Sequence, residues 1–96
     1  MRMLVVIYGG PRTELVPDLL DRQGVIGWTR LADAHGAGSS GRREGTRAWP
    51  GASQVFFTVV ADEAVTALSA ALRELAGAAM AGERLHVAEL PVERFF

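Results

Sequence analysis

The residues best suited to bind a ligand lie in one stretch, 35–51, which is rich in glycine and arginine. It contains five of the eleven glycines and three of the ten arginines. Closely spaced glycines allow backbone N–H groups to point at one anion, and guanidinium groups bind phosphate or carboxylate through paired hydrogen bonds. These features predict an oxyanion site, and a solvated glycine-rich loop is the alternative. The ligand-binding candidates in the stretch are His35, Gly36, Gly38, Arg42, Arg43 and Arg47.

The same stretch has the features of a loop that recognises a partner protein. A plain connection takes about 4–6 residues, so a much longer loop in a small domain is expected to have a function. Its tryptophan, Trp49, either stacks on a base, anchors a partner or packs the loop against its own domain. The candidate partner-binding residues are Arg42, Arg43, Arg47 and Trp49.

The two histidines of the chain, His35 and His86, offer a second kind of site. If two sheet edges from neighbouring subunits meet, these side chains would approach each other across the interface. Imidazole and carboxylate groups together suit a divalent metal or a nucleotide pocket. The alternative is that each histidine is structural. The acidic residues that would complete such a site are Glu89, Glu83 and Asp33, and the candidate metal set is His35, His86 and Glu89.

Composition and charge argue against several other functional classes. The net charge of the 96 residues is −1, which disfavours non-specific nucleic-acid binding. No cysteine is present, so there is neither a disulfide framework nor a thiolate metal site. No serine, histidine and acid follow one another in the pattern of a nucleophilic enzyme, and an enzyme is not indicated. No apolar run reaches the roughly 18 residues of a membrane span, so we expect a cytoplasmic protein without direct membrane insertion.

Four segments have the pattern of β-strands and must position these candidate residues. The segments 3–8 and 54–61 are apolar runs rich in β-branched residues, which is typical of central strands. The segments 28–34 and 85–90 alternate between apolar and polar residues, as edge strands do. The candidate site residues therefore lie at the ends of strands or between them.

Two further segments have apolar residues at steps of three and four and are predicted to be helices. The first spans 13–23, with Thr13 as the expected N-cap and Gly24 as the glycine that follows the helix. The second spans 63–76, and Asp62 is its expected N-cap. Each helix connects two strands of the predicted sheet.

The order of these elements, βαββαβ, predicts an α+β fold of the ferredoxin-like type. Right-handed crossovers place both helices on one face of an antiparallel four-stranded sheet with the strand order 4-1-3-2. We expect residues 1–96 to form a single domain. It carries a long functional loop at about 35–53 and a C-terminal tail at 91–96.

Three short segments resemble the P-II signal-transduction proteins and their P-II-like relatives. Gly24–Thr29 reads Gly-Val-Ile-Gly-Trp-Thr, Gly36–Gly38 enters the long loop, and Leu90–Glu93 reads Leu-Pro-Val-Glu after the last strand. The resemblance implies a homotrimeric assembly with adenine nucleotides in clefts between subunits. It also implies that the long loop, called the T-loop in this family, engages a target protein.

The chain departs from the family pattern at two loops. The long loop is shorter than in true P-II proteins and lacks tyrosine. The phosphate loop of the family is reduced to Gly77–Gly82, and Arg84 stands where a lysine is usual. The resemblance adds Arg84 to the ligand-binding candidates and favours the variant P-II-like proteins.

The resulting functional prediction is a P-II-like regulatory protein. It binds a small effector, an adenine nucleotide or another anion, in clefts between subunits and acts on an unidentified target protein through its long loop. A membrane transporter is one candidate target. Two alternatives stay open: a trimer of the copper-tolerance type that binds a divalent metal, and a small α+β barrel enzyme.

Overall fold

The computed structural model describes residues 1–38, 41–43 and 53–96. The strands in these ranges are β1 (Arg2–Gly9), β2 (Thr29–Ala34), β3 (Gly36–Gly38), β4 (Gly41–Arg43), β5 (Ser53–Val60) and β6 (Arg84–Pro91). The helices are α1 (Leu15–Arg22) and α2 (Asp62–Gly77). Neither of these helices is long and apolar enough to cross a membrane.

The four long strands form one antiparallel sheet in the order β2-β5-β1-β6. When the long strands are counted along the chain, this is the predicted order 4-1-3-2. The two apolar strands, β1 and β5, lie at the centre, and the two alternating strands lie at the edges. The ferredoxin-like prediction is therefore confirmed, with the short pair β3-β4 as an addition.

One face of the sheet packs against both helices and forms the core. Along β1 the side chains of Leu4, Val6 and Tyr8 are buried on this face. Phe56 lies directly opposite Val6 on β5 and is buried with it. The helices contribute the remaining core residues, which are Val16, Leu19, Leu20, Leu68 and Leu72. Alternation along the strands thus fixes which residues meet the helices.

The other face of the sheet, called the open face below, is apolar, and neither of the two described helices covers it. Val5 lies directly opposite Phe57 there, and both side chains are half-buried. Ile7, Leu31 and Leu90 are 40%, 52% and 41% exposed. Contiguous apolar surface of this kind is typical of an interaction site.

Helix α1 begins later than its sequence pattern predicts. Its first residue is Leu15 and its N-cap is Glu14, so the prediction of Thr13 as the cap is wrong. The late start places Pro17 in the first turn, where the missing N–H is not needed by the helix. The prediction that Gly24 follows the end of this helix is confirmed, because Gly24 comes directly after the C-cap residue and has a φ of +75°.

Strand β2 contains a β-bulge that the sequence does not reveal. Leu31 pairs with Val55, but Ala34 pairs with Ser53, so β2 has one extra residue in this interval. Asp33 lies in the bulge with φ of +57°. The extra residue moves Ala34 to the open face, whereas simple alternation predicts the helix-covered face.

The first part of the predicted loop 35–53 contains a pair of short strands, called the hairpin below. Strands β3 and β4 are antiparallel, with Gly36 opposite Arg43 and Gly38 opposite Gly41. The hairpin directly follows β2, separated from it by His35 alone. The chain therefore leaves the sheet as a two-stranded ribbon at this point, where the sequence pattern predicts only an irregular loop.

Candidate functional site

One end of the sheet gathers most of the predicted ligand-binding residues. Because the pairings are antiparallel, β1 and β2 end where β5 and β6 begin. This end, called the loop end below, has His35 and the β3-β4 hairpin at one edge. It has Arg84 and His86 at the other edge, where they are the first and third residues of β6. The sheet thus presents two groups of candidates on its two opposite edges.

The two histidines do not share a site within one chain. They lie on opposite edges of a four-stranded sheet, which corresponds to a separation of about 14 Å at the usual strand spacing. Glu89, the third member of the predicted metal set, lies on the helix-covered face opposite Leu4, whereas His86 lies opposite Ile7 on the open face. The described residues contain no group of three acidic, histidine or cysteine side chains that could hold a metal.

Glu89 has a different partner in the structure. Its carboxylate accepts hydrogen bonds from Arg2, with Nη2 at 2.8 Å and Nε at 3.0 Å. This ion pair joins the last part of β6 to the start of β1, at the end of the sheet remote from the hairpin. A metal site formed by His35 and His86 would need neighbouring copies of the chain, and it stays a prediction.

The hairpin positions four of the predicted loop residues. Gly36 and Gly38 belong to β3, while Arg42 and Arg43 belong to β4. The cross-strand register places Ala37 opposite Arg42. Two other predicted residues, Arg47 and Trp49, lie outside the described part of the chain. The roles predicted for all these residues in ligand or partner binding stay predictions.

A buried carboxylate that sequence reasoning did not single out as an ion-pair centre lies at the loop end. The side chain of Glu83 is 2% exposed. Its oxygen Oε2 accepts hydrogen bonds from the Tyr8 hydroxyl and, at 2.8 Å, from Arg12 Nε. Its oxygen Oε1 accepts hydrogen bonds from Arg12 Nη2 and, at 2.8 Å, from the Met80 N–H. Four donors therefore converge on one side chain.

The electrostatics of this cluster favour the ionised carboxylate. The hydrogen-bonded guanidinium of Arg12 is the main reason that the pKa of Glu83 falls from 4.5 to about 2, against an opposing effect of burial. Burial, assisted by the adjacent carboxylate, raises the pKa of the Tyr8 hydroxyl. At neutral pH the cluster thus holds a carboxylate, a guanidinium and a neutral phenol.

The turn after β1 brings Tyr8 and Arg12 together. The Tyr8 hydroxyl accepts a hydrogen bond of 2.9 Å from the backbone N–H of Arg12. Gly10 lies next to this contact, and a Cβ atom there would overlap the Tyr8 hydroxyl oxygen and lie 3.0 Å from Glu83 Cγ. Only glycine leaves room for the cluster, since real Cβ atoms do not approach other atoms so closely. The sequence gives no sign of it, because Glu83 is 71 positions from Arg12.

Arg84 and His86 occupy the open face at the β6 edge. Arg84 pairs with Gly9 and His86 with Ile7 in the register of β1 and β6. His86 also borders a groove of about 260 Å³ between α2 and β6. On the helix-covered face, Gln54 lies opposite Tyr8, and its buried amide oxygen has no donor among the described residues. Polar groups thus surround the loop end on both faces.

The chain is similar in sequence and structure to proteins of known structure. No family sequence model and no curated protein sequence matches it. Solved structures do match, and several are of CPII, a nitrogen regulatory PII-like protein from Thiomonas intermedia K12. The structure of CPII bound to ADP and bicarbonate is 30% identical, with a TM-score of 0.70 over 97% of this chain and 88% of that chain. The chain belongs to the P-II-like family.

Other CPII structures agree with this assignment of a P-II-like chain. The form bound to ADP, AMP and bicarbonate gives a TM-score of 0.72 at 29% identity, covering 97% of this chain and 88% of CPII. The apo form gives 0.63 at 25% identity, covering 95% and 89%. The similarity spans nearly the whole P-II-like chain, so the resemblance predicted from three short segments is confirmed.

Proposed function

We propose that this P-II-like protein binds an adenine nucleotide or another small oxyanion at the loop end of the sheet. Binding of this effector would then change how the 35–53 loop interacts with a target protein. The observation that carries the proposal is the gathering of His35, the hairpin, Arg84 and His86 at one end of the sheet. The CPII structures support it, since that relative is bound to ADP and bicarbonate. The proposed role is regulatory and not enzymatic.

The charges at the loop end suit an anionic effector. Arg12 is paired with Glu83, so its charge is largely compensated within the chain. Arg84 forms no ion pair with any described residue, and it lies on the open face. A guanidinium in this position can bind a phosphate or a bicarbonate group through paired hydrogen bonds.

The open face favours a homotrimer in which clefts between subunits complete the site. Its apolar residues, including Leu31 on the β2 edge and Leu90 on the β6 edge, have substantial exposure in a single chain. Among the described strands, each of the two edge strands has one unpaired side, which favours association with another copy. In a closed ring that joins the β2 edge of one copy to the β6 edge of the next, His35 would approach His86 of its neighbour.

Binding can be tested directly by isothermal titration calorimetry with AMP, ADP, ATP and bicarbonate. We expect saturable binding of at least one of these ligands, and Arg84→Gln to weaken it at least tenfold, which is about 1.4 kcal/mol. Arg22→Gln is the matched control, because Arg22 is an exposed arginine in the last turn of α1. If the native protein binds none of the four ligands, the proposed effector class is wrong.

The assembly can be tested by measuring the molar mass in solution by light scattering. We expect a trimer for the native protein and smaller species for Leu31→Asp, because a carboxylate would be buried in the interface. Ala70→Asp places the same charge on the exposed side of α2 and should leave the mass unchanged. A native monomer, or a Leu31→Asp trimer as stable as the native one, would contradict this interface.

The metal prediction has a separate test. Titration with Zn²⁺ or Cu²⁺ should be compared between the native protein and His86→Ala. A divalent metal held by His35 and His86 of neighbouring copies would be lost in the variant. Equal metal binding by both proteins would exclude this pair as the ligands.

A further inference from the structure

We infer that Glu83 is a positioning residue for the effector site: by tying the 77–83 loop to Tyr8 and Arg12, it fixes the point from which Arg84 reaches the open face. The inference rests on the proposed function, because it assumes that Arg84 contacts an anionic effector. Glu83 itself is buried and does not reach the open face. Its influence on a ligand would therefore pass through its neighbour in the chain.

The alternation of side chains gives the two adjacent residues different tasks. Arg84 is the first residue of β6 and pairs with Gly9, which places its side chain on the open face. Glu83 precedes it, and its carboxylate points instead to Tyr8 on the helix-covered face. The cluster therefore anchors the backbone at the residue immediately before the guanidinium that we expect to bind the ligand.

The 77–83 loop is held at its two ends, by hydrogen bonds from Ala78 and Ala79 to the last turn of α2 and by the pairing of Arg84 with Gly9. Residues 77–82 are all exposed, and most are glycine or alanine. Met80 and Glu83 are linked twice, by the Met80 N–H to Glu83 Oε1 and by the Glu83 N–H to the Met80 carbonyl at 2.9 Å. Only the first of these bonds connects to Arg12 and Tyr8. Without the carboxylate, the loop would keep its internal turn and the backbone pairing of Arg84 with Gly9, but it would lose its side-chain attachment to Tyr8 and Arg12.

The charge balance of the cluster also suits a site for anions. A free carboxylate next to Arg84 would repel a phosphate or bicarbonate group. Arg12 compensates this charge, and the two side chains form a bidentate pair. Glu83 can therefore anchor the loop without opposing the binding of an anion.

The test is a double-mutant cycle with ADP as the probe, using Glu83→Gln, Arg84→Gln and the double variant. We expect Glu83→Gln to weaken ADP binding roughly tenfold when Arg84 is present, and less than about twofold when Arg84 is already glutamine. Tyr8→Phe removes one of the four donors to Glu83, together with the acceptor of the Arg12 N–H, and should weaken binding roughly threefold. Glu14→Gln, which breaks the exposed pair of Glu14 with Arg30, should leave the affinity unchanged.

Hydrogen exchange at the Met80 amide reports whether the loop is released. We expect protection of this amide to fall in Glu83→Gln and in Tyr8→Phe. If protection falls and ADP affinity is unchanged, or if the Glu83 effect persists in the Arg84→Gln background, the inference is wrong. If Glu83→Gln does not fold, Tyr8→Phe decides the question by the same two criteria. Absence of AMP, ADP, ATP and bicarbonate binding by the native protein would instead refute the proposed function.

Discussion

Replacing Glu83 by glutamine should produce a large loss of stability that depends on pH. The native carboxylate accepts four hydrogen bonds from Tyr8, Arg12 and Met80. Glutamine keeps one carbonyl oxygen, and its amide N–H groups would face groups that are themselves donors. At least two of the four donors would lose their acceptor.

The magnitude follows from the burial of each donor. Tyr8 is 1% exposed, so its hydroxyl cannot turn to water, whereas Arg12 is 37% exposed and can. An unsatisfied buried group costs about 1–3 kcal/mol, and the loss of the ion pair adds to it. We expect the free energy of unfolding to fall by about 2–3 kcal/mol at pH 7. For a domain of this size, this lowers Tm by roughly 10–20 °C.

The pH dependence has a definite sign. Folding lowers the pKa of Glu83 from 4.5 to about 2. The contribution of its charge to the free energy of unfolding is therefore complete above about pH 5 and is lost as the pH falls toward 2. A pKa shift of this size corresponds to a stability contribution of at most about 3 kcal/mol. Because Arg12 is partly exposed, screening by solvent reduces this contribution to about 1–2 kcal/mol. The stability difference between the native protein and Glu83→Gln should therefore narrow steadily between pH 5 and pH 2.5.

Urea unfolding at several pH values, at one fixed protein concentration, measures this difference. Groups that titrate in both proteins contribute equally and cancel. A difference below about 0.5 kcal/mol at pH 7 would show that the cluster contributes no more than an ordinary surface pair. A difference that is the same at pH 3 and pH 7 would refute the assignment of the effect to the Glu83 charge.

Three further substitutions test other contacts. Gly10→Ala should lower the free energy of unfolding by about 2 kcal/mol in urea titrations, because its methyl group would overlap the Tyr8 hydroxyl; unchanged stability would contradict the close approach. Thr58→Val should cost about 1–2 kcal/mol in the same assay, since the buried Thr58 hydroxyl donates to the Gly27 carbonyl at 2.7 Å, and Thr58→Ser is the control that keeps this bond. Asp33→Val should lower the free energy of unfolding by about 1–2 kcal/mol, and with it the Tm, because a β-branched residue is strained at φ of +57°. Asp33→Gly should change the free energy of unfolding by less than about 0.5 kcal/mol. Equal Tm values for the two variants would contradict this backbone conformation in the bulge.

The fold could be predicted because its strongest sequence patterns are those of the core. The continuous apolar runs of β1 and β5 can be satisfied only at the centre of the sheet, and the alternating segments suit its edges. The crossover rule then leaves one strand order. Helix ends were predicted less well. Neither Thr13 nor Asp62 acts as a side-chain cap, because the helices begin at Leu15 and Asp62 itself.

The features missed at the candidate site depend on contacts between distant segments. The Tyr8, Arg12 and Glu83 cluster joins residues more than 70 positions apart, and nothing in their local sequence links them. From the sequence, Glu83 is a candidate only as a companion of the histidines. The β-bulge was also missed, because an extra residue such as Asp33 is visible only through the pairing of β2 with β5.

The β-bulge in β2 separates the register of the sheet from the length of the loop that follows it. It absorbs one residue between Leu31 and Ala34, directly before the chain leaves the sheet. Insertions or deletions after this point can change the length of the ribbon while the pairing of Thr29 with Phe57 stays the same.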